Sequence, residues 1–275
     1  MSGSMVPVFD GHNDVLTKLI AAGGADEAEG FLTGLAGHVD AIKAKAGGFA
    51  GGFFAIWPPS RLELGDITSQ MENPPYDLPL PPALEQAEAL NATLAQATAL
   101  HRLEEIGALS VCLTADAVEA AMRDGRMAAV MHLEGADGID PDLQALDVLY
   151  RSGLRSLGPV WSRPTIFAEG VPFTFPATPD IGGGLTDAGE RLIRRCDALG
   201  VMIDLSHLNE AGFWDVARVS DAPLIATHSN AHAICPHARN LTDRQLDAIR
   251  ERGGVVGLNF AVAFLREDGA MIADT

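Results

Sequence analysis

The chain has 275 residues, room for one large α/β unit, and carries a net charge of −18 from 19 basic and 37 acidic residues. That balance excludes the basic footprint of nucleic-acid binding and disfavours attachment to an anionic membrane surface. With 47% hydrophobic and 20% charged residues the chain is too apolar for disorder, yet no apolar run approaches the ~18 residues of a membrane-spanning helix.

Cys112, Cys196 and Cys235 are an odd number at unrelated spacings, so neither a disulfide framework nor a CxxC metal knuckle is expected. The first five residues lack the basic and apolar regions of a signal peptide, and the expected location is the cytoplasm. A homodimer is left open.

In chain order the strand candidates are Val6–Asp10, Gly52–Trp57, Met127–Leu133, Leu154–Val160, Val201–Leu205, Leu224–Thr227 and Val255–Phe260. Several read as continuous apolar runs, as strands covered on both faces do. Between them, apolar residues at helical spacing predict helices over Pro82–Glu105, Asp116–Arg123, Pro141–Ser152, Thr186–Leu199, Glu210–Val219 and Thr242–Arg252. Asp140-Pro141 reads as an N-cap followed by proline at the first helical position. Thr242 and Gln245 have the spacing of a capping box, and Gly200 and Gly253 stand where helices would stop. Segments 58–82 and 162–185, rich in proline, read as inserted loops over one face. This alternation is that of a parallel α/β fold. It predicts one domain over residues 1–275, a (β/α)8 TIM-like barrel lacking its last strand. Because an unclosed barrel exposes two strand edges, the chain is expected to continue past Thr275.

Residues able to bind metal fall at the strand ends. His12 and Asp14 follow the first strand, spaced so that extended chain puts both on one side. Glu134 closes the third, His207 follows the fifth and His228 the sixth. In a parallel barrel all C-terminal strand ends open on one face. Three histidines and two carboxylates exceed the needs of one tetrahedral ion, and a carboxylate can bridge two ions. The simplest partition gives His12 and Asp14 to one ion and His207 and His228 to the other, with Glu134 as the catalytic, bridging carboxylate. Zn²⁺ suits these donors, and Mn²⁺, Co²⁺ or Fe²⁺ could take the same ring. A hydroxide held between two such ions would attack a carbonyl.

Other residues near these positions carry less specific signals. His132 shares the face of Glu134 one pleat deeper. Asp204, just below His207, reads equally as a group orienting a ligand or as a buried, satisfied carboxylate. His38 and His101 read as surface residues, His232 and His237 as flanking the site, and Cys235 as an inert thiol. Arg239, in the loop after the sixth strand, could pair bidentately with a substrate carboxylate; an ordinary surface arginine is the competing reading.

The motifs Phe9-Asp10-Gly11-His12-Asn13-Asp14, His132-Leu133-Glu134-Gly135, Ile203-Asp204-Leu205-Ser206-His207, Thr227-His228-Ser229-Asn230 and Arg239-Asn240-Leu241-Thr242-Asp243 resemble those of the membrane (renal) dipeptidase family. The resemblance runs from residue 6 to the end of the chain. It implies a (β/α)8 barrel of the metal-dependent amidohydrolase superfamily and a zinc dipeptidase with the ligand partition above. It also implies that Arg239 anchors the dipeptide's C-terminal carboxylate. Two departures matter. Trp161 stands where the family commonly has a substrate-polarising histidine, so it is counted with Arg239 as substrate-binding. The family's last strand carries a proton-shuttling Asp for which no segment precedes Thr275. They leave two alternatives open: hydrolysis of another small amide, lactone or ester, or a metal-binding barrel impaired in catalysis.

Overall fold

The computed structural model describes residues 6–59 and 69–268. Its strands are β1 (Val8–Asn13), β2 (Phe49–Ile56), β3 (Tyr76–Leu78), β4 (Ser110–Val111), β5 (Ala128–Glu134), β6 (Leu154–Gly158), β7 (Phe173–Phe175), β8 (Met202–Ile203), β9 (Ile225–Ser229) and β10 (Val255–Leu258). Strands β1-β2-β5-β6-β8 pair side by side, all parallel, with β4 beside the first residues of β5. A bridge between Asp204 and Ile225 continues this order to β9, which pairs in parallel with β10. All seven predicted strands are therefore present, in the predicted neighbour order.

The sheet curls. A methyl group on Gly11 would stand 2.0 Å from the Thr227 carbonyl oxygen and 3.6 Å from the Gly257 Cα. Only glycine lets β1 lie that close to β9 and β10. Among the described residues, however, β1 pairs only with β2 and β10 only with β9. The strands form part of a barrel, and a closed ring is not seen.

Helices cover the outside. Asp187–Leu199 shows how the sequence builds one: the Thr186 side chain accepts from the Gly189 N–H, and Gly200, in left-handed conformation, ends it. Its Leu192, Ile193 and Cys196 are buried against the sheet. Each such leucine or isoleucine contributes about 1.5–3 kcal/mol when fully buried. The expected capping box of Thr242 and Gln245 is formed. The expectation at Pro141 is corrected: that helix runs Gln144–Arg151 and follows Leu143, whose φ is +62°. Asp140 accepts instead from the N–H groups of Asp142, Gln144 and Ala145, so its carboxylate organises a turn ahead of the helix.

Two regions differ from the sequence expectation. Residues 15–47, given no element, form helices Val15–Ala22, Ala28–Thr33 and Ala41–Gly47. These are too short for a periodic pattern; the first two fold because Leu16, Leu19 and Phe31 join the core of Leu100 and Leu103 on the long helix Gln86–Glu105, and the third packs against the second and β2. The described parts of the two expected loops also pair with each other. β3 and β7 form an antiparallel ribbon (Tyr76 with Phe175, Leu78 with Phe173), and the Thr174 hydroxyl donates to Asp77 at 2.8 Å. Residues 60–68 of the first loop lie outside the described residues. Among the described residues no helix is long and apolar enough to cross a membrane.

Candidate metal centre

Five predicted side chains meet at the C-terminal ends of the strands. Gly11 allows β9 to approach β1, and the residues after that contact, His12 and His228, have ring centroids 4.0 Å apart with their planes 31° from parallel. Glu134 ends β5, whose residues are all buried. Its two oxygens face different neighbours. Oε2 is 3.5 Å from His12 Nε2, which is itself 3.5 Å from Asp14 Oδ1. Oε1 is 3.1 Å from His207 Nε2 and 3.4 Å from His228 Nε2, and those two nitrogens are 3.1 Å apart. His207 has φ +66°, a sparsely populated conformation for a side-chain-bearing residue, and it directs the ring inward. Asp14 alone is open to solvent, with 57% of its side chain exposed.

These spacings suit a cation. Two donors each roughly 2.0–2.1 Å from one tetrahedral ion stand about 3.3–3.4 Å from each other, and the donor pairs here span 3.1–3.5 Å. His12, Glu134 and His228 satisfy the proximity expected of a metal-holding group.

The electrostatics agree. Burial holds His207 and His228 well below the usual histidine range, and nearby Arg239 and His12 reinforce it, so both rings are neutral. Burial likewise pushes the Glu134 carboxyl up to about 7, against the pull of His12. Burial also disfavours charge on His12, but Glu134, Asp14 and Asp204 outweigh it and raise this ring to about 9.

Arg239 is buried beside this cluster. Its NH1 donates to Ser229 Oγ and its NH2 to the His228 carbonyl, both at 2.8 Å, while Nε has no protein partner. Burial lowers it to about 10, with Asp204 and Glu134 opposing, so it stays cationic. The surface-arginine reading is set aside. Trp161 is also buried, with its ring 5.9 Å from that of His207, 5.2 Å from Trp57 and 5.6 Å from Phe173 of the β3–β7 ribbon. The second loop therefore reaches the site face.

The secondary candidates sort by contact. His132 is buried, with Nδ1 2.8 Å from Ser156 Oγ and Nε2 3.5 Å from Asp204. His232 reaches the Ala177 carbonyl at 3.0 Å, and His237 Nδ1 accepts from the Arg239 N–H at 2.9 Å. His38 is exposed, whereas His101 is half-buried with Nε2 3.0 Å from the Ser152 carbonyl. Burial pushes the Cys235 thiol up to about 11, as suits an unreactive cysteine. The sequence reading overlooked Ser162, 2.8 Å from His207 Nδ1, and Thr227, 2.9 Å from His228 Nδ1. Thr227 directly precedes His228, a weak hint at most, whereas Ser162 is far from His207 along the chain and meets it only in the fold. Also overlooked was Arg163, fully buried and paired at 2.7 Å with Asp137 beneath Trp161.

Comparison with known proteins gives a consistent picture. A protein of Acinetobacter calcoaceticus, "Uncharacterized protein in PQQ-III 3'region", is 41% identical over 98% of this chain and 85% of its own length. A crystal structure of a metallo peptidase from Rhodobacter sphaeroides, liganded with a phosphinate mimic of the dipeptide L-Ala-D-Ala, is 53% identical. It superposes with a TM-score of 0.95 over 99% of this chain and 79% of that one. The probable dipeptidase PvdM from Pseudomonas aeruginosa is 26% identical, with a TM-score of 0.75 over 95% of this chain and 62% of that one. The membrane dipeptidase family matches residues 3–275. With that match over nearly the whole sequence, the chain belongs to the membrane dipeptidase family, peptidase family M19, and is a metallopeptidase.

Proposed function

We propose that residues 1–275 act as one catalytic unit that hydrolyses dipeptides with two divalent metal ions. His12 and Asp14 would share one ion with Glu134 Oε2, and His207 and His228 the other with Glu134 Oε1. The observation that carries this reading is the division of the Glu134 carboxylate, one oxygen toward each pair of donors. When bound, the ions supply an activated water and polarise the scissile carbonyl. Imidazole and carboxylate donors without thiolate favour Zn²⁺, and Mn²⁺, Co²⁺ or Fe²⁺ suit the same set.

The chain's own residues do the rest. Glu134, buried at the end of a fully covered strand, holds the two donor pairs at fixed spacing and is the catalytic carboxylate of this reading. His207 and His228, kept neutral, offer lone pairs without first losing a proton. Arg239 binds the substrate's C-terminal carboxylate: it is cationic, dry, adjacent to the cluster, and has an unspent Nε–H. Trp161, with Trp57 and Phe173, forms an apolar wall that keeps water from the reacting face. The 53% identical Rhodobacter protein was liganded with an L-Ala-D-Ala mimic, which supports dipeptides with a C-terminal D-residue as the substrate class.

The test is hydrolysis of L-Ala-D-Ala and L-Ala-L-Ala by the protein as purified, after chelation, and after restoring zinc. Activity should vanish on chelation and return with zinc. Full activity in metal-free protein overturns the metal reading, and no turnover of any dipeptide by zinc-loaded protein overturns the substrate.

A further inference from the structure

Beneath the metal-facing side chains lies a second, fully buried layer of polar groups whose hydrogen bonds leave little freedom. Asp204 is 1% exposed and Thr227 3%. Asp204 Oδ1 accepts from the Ser206 N–H at 3.0 Å and the Thr227 N–H at 2.8 Å. Its Oδ2 accepts from the Thr227 hydroxyl at 2.6 Å and lies 3.5 Å from His132 Nε2. The same hydroxyl oxygen is 2.9 Å from His228 Nδ1.

A threonine hydroxyl has one proton to donate. Here it goes to Asp204, so toward His228 the oxygen can only accept. The Nδ1 of His228 must then carry the hydrogen, and a neutral imidazole with its hydrogen on Nδ1 has a bare lone pair on Nε2. That Nε2 is the atom facing Glu134 and His207. The backbone keeps the parts in register: the His228 N–H donates to Ser206 Oγ at 3.1 Å, and Gly11 and Gly257 leave room for the Thr227 carbonyl.

We propose that Asp204 and Thr227 form a clasp that fixes the tautomer and orientation of His228, so that its Nε2 is a preformed metal donor. Both are positioning residues, acting through His228. The inference rests on the reading of His228 as a ligand and assigns a role to two residues outside the ligand set. The two histidines of that pair differ in this respect. His207 Nδ1 meets Ser162 Oγ at 2.8 Å, and among the described residues that hydroxyl has no second hydrogen-bond partner. It can donate or accept, so it orients the ring without selecting a tautomer. Only His228 has a carboxylate behind its hydroxyl.

The decisive variants are Thr227→Val, which keeps the shape and the backbone bond to Asp204 while deleting the hydroxyl, and Thr227→Ser, which restores it. The full-length protein is read two ways: zinc affinity by competition with a chromophoric chelator, and the tautomer of His228 in metal-free protein above neutral pH, from ¹⁵N-histidine NMR. In the wild type His228 should show hydrogen on Nδ1. Thr227→Val should populate the other tautomer and weaken zinc binding by about 10–100-fold, the usual effect of losing a group that supports a metal ligand. Thr227→Ser should return both to wild type. Wild-type affinity and an unchanged Nδ1–H signal in Thr227→Val would overturn the clasp. His228→Ala separates the two claims: zinc loss there with none in Thr227→Val overturns the clasp alone, whereas undiminished zinc binding in His228→Ala overturns the ligand reading on which it stands.

Discussion

Strands β5 and β10 look alike as sequence, Ala128-Ala129-Val130-Met131-His132-Leu133 against Val255-Val256-Gly257-Leu258, and both are parallel strands of the curved sheet. Their surroundings are opposite. β5 lies between β2 and β6, and every residue in it is buried. β10 pairs only with β9 among the described residues, and Val255 and Leu258 are 62% and 61% exposed. An apolar run specifies a strand, but the strands beside it decide how firmly the residue at its end is held. Glu134, which His12, His207 and His228 all approach, sits at the end of the more constrained strand, where functional geometry is best preserved.

Substituting at both strands tests this contrast most strongly. Glu134→Gln keeps the shape and removes the charge between the donor pairs. Metal content should fall below stoichiometry, and dipeptide hydrolysis should drop by about 10³-fold or more, the loss of several kcal/mol of metal stabilisation. Leu258→Ala, at the end of β10, should leave metal content and turnover at wild-type levels. Stability should divide the same way. Leu133→Ala opens a cavity in a fully buried strand and should cost about 2–5 kcal/mol in denaturant unfolding. Leu258→Ala should stay within about 0.5 kcal/mol. Equal costs at the two positions would mean that the contrast in burial has no energetic weight.

Arg239 sharpens the comparison from the loop side. Removing a buried charged donor to a carboxylate costs about 1.5–3 kcal/mol, so Arg239→Ala should raise KM for dipeptides about 10–100-fold with metal content unchanged. An unaltered KM would remove its anchoring role.

The smallest effect concerns His237, which packs its ring 4.6 Å from Phe264, just beyond β10. Burial holds this histidine down to about 3, against an ordinary 6.5. Between those values the unfolded chain binds a proton that the folded chain does not, so stability falls as pH drops below about 6.5. Relative to wild type, His237→Gln should flatten the stability–pH slope by up to about 1.4 kcal/mol per pH unit in that window. Identical slopes would place the ring in water rather than in the apolar contact with Phe264.

Seven strands and six helices could be read from the sequence because each carries its own periodicity and punctuation, as with Thr186 and Gly200 around Asp187–Leu199. The helices at 15–47 could not: each is about two turns or less, and the first two are buried by Leu100 and Leu103, far along the chain, while the third packs on its neighbour and β2. The β3–β7 ribbon was hidden for the same reason, since three-residue strands gain their meaning only from each other. At the site, ligand types at strand ends pointed to His12, Asp14, Glu134, His207 and His228. Thr227, Ser162 and Arg163 gave no comparable signal, because a hydroxyl or an arginine acquires a role only through what it touches.

From sequence alone came the alternation of parallel strands with helices, the side chains able to grip a metal, and the family likeness. These are local properties, set by spacing along a few residues of chain. The fold decided which oxygen of Glu134 faces which histidines, that Arg239 is dry and still charged, and that the Thr227 proton is committed to Asp204. Those facts depend on distances between atoms up to about 120 positions apart. Such distances are fixed only when the sheet curls and glycine lets β1 approach β9.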